Sequence, residues 1–143
     1  MNRLKAIVEA VVAQLQEIDG GTHYNFSLLS GQIIQGYIGH DQAHRYPSVC
    51  VIGASLDGSD FADQRSRNAP FTVELLGYVQ KEQDALSEAL KFASDIETAI
   101  FTDETLGGLI WGLSTRLEVS ALNNSSFGGV FVEIKGMTLK EKP

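Results

Sequence analysis

The chain has little of what a reactive site is usually built from. It holds one cysteine, three histidines and three prolines in 143 residues. A lone cysteine excludes an internal disulfide. Cys50 stands within the apolar run Val49-Cys50-Val51-Ile52, where the natural role is that of a small buried hydrophobe; a reactive thiol needs exposure and positive neighbours. No apolar run approaches the roughly 20 residues of a membrane-spanning helix. The opening Met1-Asn2-Arg3-Leu4-Lys5 leads into a helix interrupted by Glu9 rather than into the apolar core of a secretion signal, so assembly in a cytoplasm is expected. Basic residues are scarce and scattered, 11 against 18 acidic ones for a net charge of −7, and the Lys/Arg footprint of a nucleic-acid binder is missing.

What remains is an ordinary globular composition, 43% hydrophobic and 20% charged, without the apolar depletion of disordered chains. A chain of this size buries about 68–70% of its unfolded surface. One domain spanning residues 1–143 is expected.

The candidate chemical motifs each fall short. His40-Asp41-Gln42-Ala43-His44 has two histidines at the i, i+4 spacing of a zinc helix, but Asp41 stands where a Glu belongs, and no helical period surrounds it. Asp57, Asp60 and Asp63 miss the alternate spacing of a calcium loop. Ser55 lacks the second glycine of a nucleophile elbow, and the glycine pairs at 20, 107 and 128 open no phosphate loop. No catalytic residue, metal site or cofactor is expected. Trp111, without a basic and aromatic cluster, reads as core or as a subunit contact.

Periodicity is more informative. Residues 2–18 place Leu4, Ile7, Val8, Val11, Val12, Leu15 and Ile18 on one helical face, closed by Asp19-Gly20-Gly21. Apolar pairs in residues 24–38, split at Ser30-Gly31, suggest two short strands. Pro47-Ser48-Val49-Cys50-Val51-Ile52-Gly53-Ala54 and Pro70 to Val79 read as further strands, the second apolar on both faces and therefore central. Residues 83–101 return to helical spacing with Leu86, Ala89, Leu90, Ala93, Ile96 and Ile100 on one side. Two alternating strands around 113–121 and 130–135 flank the hairpin chemistry of Asn123-Asn124-Ser125-Ser126. The expected fold is α+β: a mixed, largely antiparallel sheet packed against two amphipathic helices, in the order α-β-β-β-β-α-β-β. Leu86, Leu90 and Ile96 are expected to meet the sheet with Val8, Val11 and Leu15, so that Leu90→Ala costs about 2–5 kcal/mol.

The series of elements carries a resemblance. An N-terminal amphipathic helix is followed by the P-x-V-x-V strand Pro47-Ser48-Val49-Cys50-Val51. After Arg65-Ser66-Arg67 comes the strand Phe71-Thr72-Val73-Glu74-Leu75-Leu76-Gly77-Tyr78-Val79. A helix ending Asp95-Ile96-Glu97-Thr98-Ala99-Ile100-Phe101-Thr102-Asp103 then leads into Leu106-Gly107-Gly108 and two closing strands. Over most of residues 1–139 this resembles the tail terminator, or tail-completion, proteins of long-tailed bacteriophages. The resemblance implies a structural virion protein, not an enzyme, that forms a hexameric ring. Such a ring caps the finished tail tube, offers a joining surface to the head-side neck, and passes DNA through its lumen without holding it. Its partners would be copies of itself, the tail-tube protein and a head–tail connector. Another neck protein is the neighbouring alternative; a small cytoplasmic enzyme or ligand-binding module is the alternative of a different class. The long polar stretch at residues 56–69 is the expected interface, with Asp57, Asp60 and Asp63 at its acidic start and Arg65 and Arg67 at its basic end to pair with a neighbouring subunit or the tube.

Overall fold

The computed structural model describes residues 2–57, 68–122 and 126–139. Helix α1 (Arg3–Leu15) starts at Asn2, whose side-chain oxygen accepts the Lys5 N–H at 3.0 Å and so satisfies one of the orphan donors of the first turn. Ile7, Val11 and Leu15, four residues apart, are fully buried. The helix stops three residues short of the periodic pattern, and Ile18 is buried from the turn that follows.

The sheet has five strands: β1 (Ile33–Gln35), β2 (Ser48–Leu56), β3 (Asn68–Gln80), β4 (Ile110–Leu122) and β5 (Phe127–Leu139). Their spatial order is β1-β2-β3-β5-β4. β1 runs parallel to β2 and every other pair is antiparallel, so the sheet is mixed and largely antiparallel. The fold is α+β, with one strand fewer than expected before the second helix. The missing strand has a physical reason. The N–H groups of Asn25 and Phe26, which a strand would give to a neighbour, donate to the carboxylate of Asp95 at 2.8–3.0 Å. A short 3₁₀ turn (Ser30–Gln32) then follows, pinned by Gln32, whose side chain accepts from Leu29 N–H at 3.0 Å and donates to the Pro47 carbonyl at 2.7 Å.

Helix α2 (Ala85–Phe101) lies over β5 and β4 with β3 beneath its edge, and α1 packs beside it against β2. Both helices cover the same face of the sheet. There Val49, Phe71, Val73, Leu75, Val130, Val132 and Ile134 meet Ile7, Val11 and Leu15 of α1 and Ala89, Phe92, Ile96 and Ile100 of α2. Of the expected face of α2, Ala89, Ala93, Ile96 and Ile100 are buried and Leu86 and Leu90 are not. Leu86 and Leu90 are 43% and 54% exposed, while Phe92 and Ala99 are fully buried. The helix lays its alanines on the sheet, which lets it sit close, and the two leucines fall on the flank. Leu90→Ala is therefore not the core deletion that periodicity suggested.

The close approach also explains a glycine. A Cβ on Gly128 of β5 would stand 2.6 Å from the Ala85 carbonyl oxygen and 2.6 Å from the Ala89 Cβ. Both are fixed by helix backbone, so Gly128→Ala is expected to push α2 off the sheet and cost about 1–3 kcal/mol. Urea denaturation checks this; an unchanged midpoint would mean the helix is free to shift.

Trp111 is 42% exposed rather than core, set beside a bulge in β4 where Gly112 has φ 67°. No helix of the described residues is long and apolar enough to cross a membrane.

Candidate functional site

The second face of the sheet carries no helix among the described residues. Because β-strands alternate their side chains, the register places Leu76 opposite Phe131 and Phe131 opposite Glu118 in one row, with Cys50 on the far side of Leu76. The next row holds Glu74, Glu133 and Arg116. Glu74 faces a like charge across the strand pair, an unfavourable arrangement by itself, and Lys135 offsets it by pairing with Glu133 at 3.3 Å.

The chain between β1 and β2 closes one end of this face. Tyr78 is buried and its hydroxyl donates to the Ile38 carbonyl at 2.9 Å, while the Tyr46 hydroxyl donates to the His40 carbonyl at 2.6 Å. The His40 ring stands edge-on to Phe127, with centroids 5.0 Å apart, and to Tyr78 at 6.5 Å; Tyr46 leans on Phe127 at 5.7 Å. Four rings thus fasten the segment to the ends of β3 and β5. The histidine pair of the sequence is dissolved by this arrangement. Residues 40–44 form a turn and no helix, His40 faces the aromatic cluster, and His44 is exposed.

Between the fastened segment and β4 runs an open groove of about 630 Å³ with Leu76 and Phe131 as apolar floor, Tyr37, His40 and Tyr78 as aromatic wall, and Glu118 at its rim. The groove supplies contact area more than reactive groups. Burial pushes the Tyr78 hydroxyl well above its ordinary range, and the neighbouring Tyr37 adds to the shift. Burial likewise raises the thiol of Cys50, partly offset by a backbone hydrogen bond from Ile38. His40 Nε2 is buried and has no hydrogen-bond partner among the described residues. Among the described residues no three His, Cys, Asp or Glu side chains gather as a metal site would require.

The expected interface is only partly in view. Asp57 is exposed at the end of β2, with its N–H donating to the Pro70 carbonyl at 2.9 Å. Asp60, Asp63, Arg65 and Arg67 lie outside the described residues. The polar stretch is narrower than the pattern suggested at its far end, because β3 begins at Asn68. The groove was not visible in the sequence, although one signal was present. Leu76 and Tyr78 are large apolar residues on the outer face of β3, and the same pattern that marks the strand as central also marks an apolar outer face. No protein-family model and no curated protein matches the chain.

Proposed function

We propose that the protein is a structural subunit of a phage tail, a terminator that caps the finished tail tube as a hexameric ring and presents a joining surface to the neck. The observation that carries this reading is the one-sided fold: two helices on one face of a sheet whose other face leaves Leu76 and Phe131 only partly buried, beside a bordering segment in which Tyr37 is 70% exposed. A layered domain gains stability by covering such apolar surface, and in an assembly the cover comes from neighbours. The order of elements, which resembles the terminator family, supports the same reading. The net charge of −7 suits a conduit, since like charge weakens phosphate binding and lets DNA pass. The place of action is then the virion neck, after assembly in the host cytoplasm.

Purified protein added to assembled tail tubes is expected to appear in negative-stain images as a ring with a central hole on one tube end. Tube ends that stay bare would overturn the proposal. The groove favours a second reading, a small-ligand-binding module. That reading predicts a raised melting temperature with an aromatic or cationic compound and no binding to tubes.

A further inference from the structure

β4 is an edge strand of 13 residues, and among the described residues nothing pairs with its outer side. Such an edge presents a row of unpaired N–H and C=O groups. Charges on an edge normally discourage pairing. Here they single out one partner and one register. Arg116 and Glu118 point to the same face, two residues apart around Leu117, both 59% exposed and bonded to each other within the strand. We propose that the free protein dimerises by antiparallel pairing of β4 with β4 of a second copy about a two-fold axis through Leu117, joining two five-stranded sheets into one of ten strands.

The argument is self-complementarity. In an antiparallel pair, residues directly opposite share a face of the sheet. With the axis at Leu117, Arg116 of each copy lies opposite Glu118 of the other, and Ser114 opposite Ser120. Moving the axis to Arg116 sets arginine against arginine, and moving it to Glu118 sets glutamate against glutamate. An axis at Thr115 or Val119 leaves the charges facing uncharged residues, Ser114 and Gly112 in the first case and Leu122 and Ser120 in the second. Only the register centred on Leu117 forms both opposite-charge pairs, and it also keeps the helices of both copies on one side.

The helix side gives an independent reason. Leu113, Leu117 and Val119 point toward the core from β4 yet remain only partly buried, because the sheet ends there. Leu86 and Leu90 lie on the flank of α2 that also carries Glu97, seven residues after Leu90. Glu97 accepts a hydrogen bond from Thr115 of β4 at 3.5 Å, so this is the flank above the open edge. α2 lies over β5, with β4 on one side of it and β3 on the other, so in a β4-paired dimer the flanks of the two antiparallel α2 helices that carry Leu86 and Leu90 face each other above the joined strands.

A two-fold contact closes on two copies, whereas a ring needs a head-to-tail contact; the dimer is therefore a property of the free protein and does not rest on the terminator reading. Sedimentation velocity without any tail component tests it. Wild type is expected at twice the chain mass. Arg116→Glu alone and Glu118→Arg alone each set like charges opposite one another at both pairs, and each is expected to weaken association by roughly 10- to 100-fold. Mixing the two single variants restores opposite charges at both pairs and is expected to give a dimer containing one copy of each. The double variant R116E/E118R is expected to dimerise by itself. Circular dichroism of each variant separates loss of association from loss of fold. A monomeric wild type, single variants that still associate, or a mixture that does not, would each overturn the proposal, as would a free hexamer indifferent to both reversals.

Discussion

Phe92→Ala is expected to lower stability by about 3–5 kcal/mol in urea denaturation, read in the Arg116→Glu background so that association does not enter. Phe92 is fully buried, edge-on to Phe26 with centroids 5.6 Å apart, and its ring lies where a Cβ on Gly77 would come within 2.9 Å. One wall of the site is therefore sheet backbone, which cannot relax into the space left by the ring, and the loss of the aromatic pair adds about 0.5–1.5 kcal/mol to the cost of the lost burial. Leu90→Ala, on the same helix but over half exposed, is expected to stay within about 0.5 kcal/mol of the parent. Equal losses for the two would show that α2 is turned toward the face that its leucines suggest.

Asp95→Ala is the second large effect, about 2–4 kcal/mol, because removing a buried acceptor leaves its donors unsatisfied at about 1–3 kcal/mol each. Asp95 is 1% exposed and accepts from the backbone N–H of Asn25 and Phe26 and from the Asn25 side chain at 2.8–3.0 Å. Those donors lie in the segment that follows α1, so the carboxylate ties the two helices together through it. Hydrogen exchange at Asn25 and Phe26 is expected to speed up in the variant. Asp95→Asn keeps the shape and one acceptor oxygen, and is expected to fall between the variant and the parent. Unchanged exchange at both amides in Asp95→Ala would mean that this carboxylate does not hold the segment.

These two residues also show where reading the sequence succeeds and where it stops. α1 is legible because Ile7, Val11 and Leu15 bury one repeating stripe and no competing face exists. In α2 the periodic pattern finds Ala89, Ala93, Ile96 and Ile100, which are buried, but its large residues Leu86 and Leu90 fall on the flank while Ala85 and Phe92 join the buried stripe. Small residues bring a helix closer to a sheet, and that gain belongs to the pair of surfaces and not to either alone. Of the two strands expected in residues 24–38 the second is β1, and the first does not form because the Asn25 and Phe26 N–H groups go to a side chain about 70 residues away. The central place of β3 was readable from apolar residues on both its faces; that β5 and not β4 lies beside it was not. The groove draws on Tyr37, His40, Leu76, Tyr78, Glu118 and Phe131, which no local pattern connects.

The strand order has a consequence in time. β4 and β5 are neighbours in sequence and pair along nearly their whole length, Leu122 with Phe127 through to Ile110 with Thr138, so they can zip as a hairpin within about 1–10 μs. β3 reaches β5 only across α2, with Gln80 pairing Phe127 and Asn68 pairing Leu139, and closing such distant contacts is slow. Until β3 docks, the second edge of β5 stands open, with Val130, Val132 and Ile134 uncovered, and that interval is when a nascent or heated chain is most exposed to the wrong neighbour.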